Sequence, residues 1–280
     1  MGRTAVVTDS TAGLPSGLAE SRSIMIVPLR VLAGSHTADD GPGVLSGPLA
    51  EYLSSGERLT TARPSPARFA AAYAAAAEAG AAEVVSVHLS GELSGTLSSA
   101  ELAAAEAPVP VHVVDSRSIG MGLGITALTA AAAAAAGLPG AAVAAAARLR
   151  AERLGSFLAV DSPDQLRAGG RLSPLAGPAG AVLTARPLLT MLSGRISMLE
   201  RVRTRSAAAE RLAELAAQFA AGRPADIAVQ HIGQASRAAE LAGQLAAAIP
   251  LARHRYLTEA GAAILAHTGP GMLGVVVAPC

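Results

Sequence analysis

The chain has 280 residues, 51% of them hydrophobic, and a formal net charge of +1. That is enough for one large α/β unit or two ordinary domains with a sizeable core, and it lacks the strongly basic balance that nucleic-acid binding needs. All 22 basic residues are Arg, so lysine-dependent Schiff-base and Walker-type chemistry is excluded, and the sole cysteine, Cys280, excludes an internal disulfide or a paired thiolate metal site.

That cysteine usage fits a reducing, cytoplasmic setting. The N-terminus, Met1-Gly2-Arg3 and a short apolar run broken by Asp9, is too short for a signal-peptide core. In chain order, Ala5–Ser10, Ile24–Leu32, Glu83–Leu89 and Val111–Ser116 are short runs rich in Val and Ile and read as strands. Helices are expected at Pro66–Ala79, Gly95–Ala105, Leu123–Ala136 and Ala141–Arg153, all rich in Ala, the best helix former. Near-continuous apolar strands alternating with helices predict a mostly parallel sheet covered on both faces. The stretch Ser118–Ala147 carries no charge. Ala gains little from lipid, and Gly137-Leu138-Pro139-Gly140 cuts the stretch in two, so two buried helices are expected there rather than a membrane span.

The pattern changes after Phe157. Leu188–Met191 and Ile196–Arg201 flank Leu192-Ser193-Gly194-Arg195, which signals a hairpin. Further strands are expected at Ile227–His231, Ala252–Leu257, Ala262–Ala266 and Leu273–Val277, with helices at Arg205–Ala221 and Ser236–Ala248. Hairpins mixed with two helices predict a second lobe with a mixed or antiparallel sheet. The expected division is residues 1–157 and 158–280. The fold class is thus a two-lobed α/β protein.

Polar clusters sit at the carboxyl ends of the expected strands, the edge where open α/β sheets bind ligands. They are Thr8-Asp9-Ser10-Thr11, Ser90 through Thr96, and Asp115-Ser116-Arg117-Ser118; a fourth, Thr60 through Pro66, precedes a helix. Ser94 stands just before a helix. Its hydroxyl and the free N–H groups of the first turn could hold an anion, while a plain N-cap serine explains the same residue. A serine nucleophile is a third reading, but Gly91-Glu92-Leu93-Ser94-Gly95 misses the spacing of the nucleophile elbow. Gly120-Met121-Gly122-Leu123-Gly124 lacks dinucleotide-loop spacing and reads as a helix start. His267 precedes the tight turn Gly269-Pro270-Gly271; a histidine and two hydroxyls would suit a carboxylate. Arg171 follows two glycines, and Arg203 and Arg205 flank Thr204 at a strand-to-helix junction, a pair suited to a phosphate or acyl-phosphate.

These clusters, in this order, resemble the DegV family of bacterial fatty-acid-binding proteins over essentially the whole chain. The strings are Val6 through Thr11, Thr61 through Pro66, Leu93-Ser94-Gly95-Thr96, Val114 through Gly122, Gly169-Gly170-Arg171, Arg186 through Thr190, Val202 through Arg205, and His267 through Gly271. The resemblance implies a lipid carrier without catalysis or cofactor of its own. Its fatty acid would lie with the tail buried in the N-terminal lobe and the carboxylate near the interlobe cleft. Thr61, Ser94 and His267 match the groups around the carboxylate, with Gly95 and Thr96 beside them. Arg171, Arg203 and Arg205 match arginines tied to kinase docking or phosphoryl transfer. The implied partner is an ATP-dependent fatty acid kinase subunit that phosphorylates the carboxylate toward phospholipid synthesis; transient contact with a membrane surface is compatible with that role. Two departures stand out: Ser90-Gly91 replaces a serine pair, and Ala62-Arg63 replaces a hydroxyl and a neutral residue. The competing expectations are a stand-alone acyl hydrolase using Ser94 with a base such as His267, and a small-ligand or phosphate-binding regulator of the same fold.

Overall fold

The computed structural model describes residues 2–41, 43–44, 58–173 and 186–280. They divide into two compact units: residues 1–152 with 261–263, and residues 153–260 with 264–280. The expected boundary at 157 falls inside a strand, Gly155–Ala159, that pairs wholly within the second unit's sheet.

The first unit is built on four parallel strands, β1 (Arg3–Asp9), β2 (Ile24–Val27), β6 (Ala81–His88) and β7 (Val111–Asp115), in the order β2-β1-β6-β7. Successive strand residues point to opposite faces, and the apolar runs supply both. Val7 and Val84 pack with Phe69, Tyr73, Ala100 and Ala103 of α2 (Pro66–Glu78) and α3 (Thr96–Ala104). Val6, Val85 and Val87 pack with Leu123, Ala127, Val143 and Ala147 of α4 (Met121–Ala135) and α5 (Gly140–Ala151). The uncharged stretch is therefore two helices, and among the described residues no helix is long and apolar enough to cross a membrane. A short helix, α1 (Leu18–Ser21), precedes β2.

The expected strand Ile24–Leu32 is two strands in two sheets. Pro28 has no N–H for a ladder, and after it the chain turns into β3 (Arg30–Ala33), which pairs antiparallel with β4 (His36–Asp39) and β5 (Thr60–Ala62).

Among the described residues the second unit carries a six-stranded sheet in the order β10-β9-β8-β13-β11-β12. Its strands are β8 (Gly155–Ala159), β9 (Arg186–Leu192), β10 (Arg195–Val202), β11 (Ala225–His231), β12 (Ala252–Glu259) and β13 (Leu273–Pro279). Among these six strands β11 and β12 alone pair with each other in parallel, joined by α8 (Ala235–Ala248) as a crossover helix. α8 and α7 (Arg205–Ala220) bury Leu212, Ala216, Leu241 and Leu245 against Ile227, Val229, Val275 and Val277. The β9–β10 hairpin closes through Ser193-Gly194, whose φ values of 52° and 82° are the double-positive geometry of a type I′ turn. A five-residue helix, α6 (Asp164–Ala168), follows β8. One expected strand is overturned: Ala262–Ala266 lies in a helix, α9 (Ala262–Thr268), because a run led by Ala without alternation has no half-buried strand pattern to satisfy.

α4 approaches the 3-10 turn after β1 closely. A β-carbon at Gly124 would stand 2.6 Å from the Ala12 carbonyl oxygen, a backbone atom that cannot move aside alone. Gly124→Ala is therefore expected to lower stability by about 1–3 kcal/mol in urea unfolding. An unchanged midpoint would show that α4 can shift without cost.

Candidate functional site

In the first unit the polar clusters meet at the carboxyl edge of the parallel sheet, and Asp9 organises them. Its side chain is fully buried. Oδ1 accepts the Thr11 N–H (3.1 Å) and the Thr11 hydroxyl (2.5 Å), capping the turn at Ser10–Ala12. Oδ2 accepts the Leu89 N–H (3.0 Å) and faces His88 Nδ1 (3.1 Å). A carboxylate can only accept, so His88 Nδ1 carries the ring proton and Nε2 faces the Ser86 hydroxyl at 2.7 Å. Ser86 in turn receives the Tyr73 O–H at 2.9 Å. Burial pushes the Tyr73 phenol up to about 12, so it stays a donor. The edge of Phe69 seals His88 at a ring separation of 4.9 Å.

This Asp9–His88–Ser86 chain has the order of a hydrolytic triad without the access. All three residues are 0% exposed, and Ser86 is occupied by Tyr73. It is a scaffold that fixes the backbone at Leu89 and hence the loop that follows. In that loop the Ser90 N–H bonds the Ser118 carbonyl (2.8 Å), and the N–H groups of Leu93 and Ser94 bond the Ser90 carbonyl (3.0 and 3.2 Å). Asp115 ties the neighbouring loop, accepting from the Arg117 N–H (2.7 Å) and the Gly91 N–H (3.3 Å).

Ser94 ends up half-buried, one residue ahead of the N-cap position, which is Gly95. Its hydroxyl accepts the Thr96 N–H at 3.2 Å and shares a 2.9 Å hydrogen bond with the Thr96 hydroxyl. The capping reading is thus realised in part. A base paired with Ser94, which the hydrolase expectation requires, is not among these partners. Thr96 is fully buried. Gly95 is set apart by its neighbour: the Arg63 guanidinium occupies the space a β-carbon would take. That contact joins the end of β5, where Thr61 pairs with Val31, to the Ser94 turn. The two hydroxyl-bearing segments therefore adjoin, and α3 points its N-terminus at their junction.

The second unit holds the remaining expected residues. His267 lies on α9; a β-carbon at Gly169 would stand 3.3 Å from its Nδ1 and 3.5 Å from Arg171 Cδ. Burial, reinforced by the charge of Arg171, pulls the His267 imidazole down to about 4. At neutral pH the ring is uncharged and offers one donor and one acceptor. The Arg171 guanidinium donates to the Gly169 carbonyl. Arg203 is exposed between β10 and α7. Arg205 does not form a free pair with it, because its guanidinium binds Asp161 (2.5 Å), which also binds Arg186. Burial alone would raise the Asp161 carboxyl, but the hydrogen bond from Arg205 and the charges of both arginines hold it below its usual value. Thr204 between them caps α7, accepting the Ala207 N–H at 3.1 Å.

The DegV family model, described as "Uncharacterised protein, DegV family", matches residues 3–280. The chain belongs to the DegV family. A DegV domain-containing protein of Streptomyces coelicolor is 46% identical over 273 residues, covering 98% of this chain and 97% of that one. Among solved structures, a fatty-acid-binding DegV family protein from Thermus thermophilus matches at a TM-score of 0.92 and 31% identity, covering 99% and 100% of the two chains. DegV from Bacillus subtilis, a fatty acid binding protein, matches at 0.91 and 30% identity, covering all of both chains.

Within this DegV chain, the sequence reading named Asp9 only as part of a polar cluster and missed Tyr73, Ser86 and His88. The available signal was the alternation in Ser86-Val87-His88: two polar residues on one face of an otherwise apolar strand must bury together and find partners. The same folded environment makes a pH prediction. Because the folded-state His267 resists protonation, the unfolded chain binds more protons between about pH 6.5 and 4, and this contribution to stability is lost as pH falls through that window. An NMR titration should find the His267 ring neutral at pH 6; a midpoint near 6.5 would refute its burial.

Proposed function

We propose that this chain binds a long-chain fatty acid, with its carboxylate at the junction of the Thr61 and Ser94 segments, and presents it to an ATP-dependent kinase subunit for phosphorylation. The observation that carries the reading is the full-length match, near 0.9 in TM-score and at 30–31% identity, to two DegV proteins that bind fatty acids. The local geometry supports it. Two hydroxyl-bearing segments and a helix N-terminus adjoin, and each can donate to an ionised oxygen. Each buried methylene contributes roughly 0.8 kcal/mol, so a sixteen-carbon tail supplies on the order of 10 kcal/mol before ordering costs. With three Phe, three Tyr and no Trp, the chain's apolar surfaces are aliphatic, which suits such a tail. The Ser94 hydroxyl, engaged with Thr96, favours a donor role over a nucleophile.

The protein purified from cells should carry a fatty acid in native mass spectrometry, or take up added palmitate or oleate; ligand-free protein that takes up neither would end the proposal. Ser94→Ala and Thr61→Ala should each weaken palmitate binding about tenfold, since a buried carboxylate loses a donor worth about 1–3 kcal/mol. In the kinase step, Arg203→Ala should spare lipid binding and slow phosphorylation. Equal turnover by that variant would remove Arg203 from the docking role.

A further inference from the structure

Arg63 stands out in the first unit. It is exposed at the end of β5, and its guanidinium lies across Gly95, between Ser94 and the first residue of α3. Among the described residues it has no hydrogen bond or ion pair. It also lines a cleft of about 630 Å³ with Arg30, Asp39 and Arg68. There Asp39 is already engaged, its two oxygens held by Arg68 at 2.8 and 2.5 Å. Arg68 holds the Asp39 carboxyl below its usual value, chiefly through that hydrogen bond. Three arginines and one acidic residue thus line the cleft, and Arg63 is the arginine of the three that also reaches Gly95.

Glu92 and Asp115 are the acidic residues of the loops that lead into that turn, and the groups opening α3 are dipoles: the half-buried Ser94 hydroxyl and the first N–H groups of the helix. They can orient an oxygen of any polar head. A guanidinium is different, because it is permanently charged and its planar fork matches the paired oxygens of a carboxylate or a phosphate-type group. We propose that Arg63 is the charge-selecting residue of the head-group site: it favours an acyl chain ending in an anion over a neutral one, and a dianionic phosphate-type head over a carboxylate. This rests on the fatty-acid reading above and adds to it the class of head group. The site would then hold the phosphorylated product at least as firmly as the acid. Because Arg63 is exposed, solvent screens it, and its effect on a monoanion is modest and salt-dependent.

The test uses the full chain and three sixteen-carbon probes in calorimetric titration: palmitate, hexadecanol and hexadecylphosphonate. In the wild type, hexadecylphosphonate should bind tighter than palmitate, and the difference should shrink as salt rises. Arg63→Gln should weaken palmitate about threefold and hexadecylphosphonate about tenfold or more, and leave hexadecanol unchanged. Unchanged hexadecanol binding also shows that the variant folds and keeps its apolar slot. Arg63→Lys should restore part of the phosphonate preference, as charge without the planar fork. Equal affinities of wild type and Arg63→Gln for all three probes would overturn the assignment while leaving fatty-acid binding intact. So would an equal loss for hexadecanol, which marks a structural role. A wild-type chain that binds none of the three overturns both readings.

Discussion

The buried carboxylate of Asp9 is the constraint on which the first unit's polar edge depends. Four donors converge on two oxygens: the Thr11 N–H and hydroxyl, the Leu89 N–H and the His88 ring. Each comes from the end of β1 or β6, so one side chain fixes both strand ends relative to each other. A buried carboxylate left short of donors is costly, which makes the arrangement all-or-none rather than gradual. The loop after Leu89 inherits its starting direction from that bond, and Ser94 and Gly95 lie at its far end, where Arg63 lies across it.

The same network shows why residue types do not define chemistry. Asp9, His88 and Ser86 are linked in the order that activates a nucleophile, yet the Ser86 hydroxyl accepts the Tyr73 O–H and no solvent reaches any of the three. Ser94, by contrast, is half-buried, and its hydroxyl has the hydroxyl and N–H of Thr96 as partners. A donor at a helix start, beside a permanently charged guanidinium, is suited to hold a charge and poorly suited to attack a carbonyl. In the second unit, the contrast between His267 and Asp161 follows the same physics. The histidine is denied its charge by burial and Arg171, whereas Asp161 keeps its charge because Arg186 and Arg205 outweigh its burial.

Much of the architecture was legible because the periodicities are strong. The Val-rich runs at Ala5, Glu83 and Val111 could only be buried strands, and the Ala-rich segments could only be helices. Ser193-Gly194 announced its own turn. The readings that failed share a cause. Pro28 was passed over inside an apolar run, and Ala262–Ala266 was read by apolarity without checking for alternation. Gly155–Ala159 was missed because its strand character comes from pairing with β9 and β13, distant in sequence. At the site, strings such as Leu93-Ser94-Gly95-Thr96 located the loop. That Arg63 would lie on Gly95, or that Asp9 would meet His88, depends on contacts across 32 and 79 positions of chain that no local pattern encodes.

The central claim is that an ionised head group is held at the junction of the Thr61 and Ser94 segments. A crystal structure of the chain with palmitate tests it most directly. The expected result is a carboxylate with its oxygens about 3 Å from the Ser94 or Thr61 hydroxyl. Palmitate bound with its carboxylate elsewhere, and both hydroxyls untouched, would contradict it.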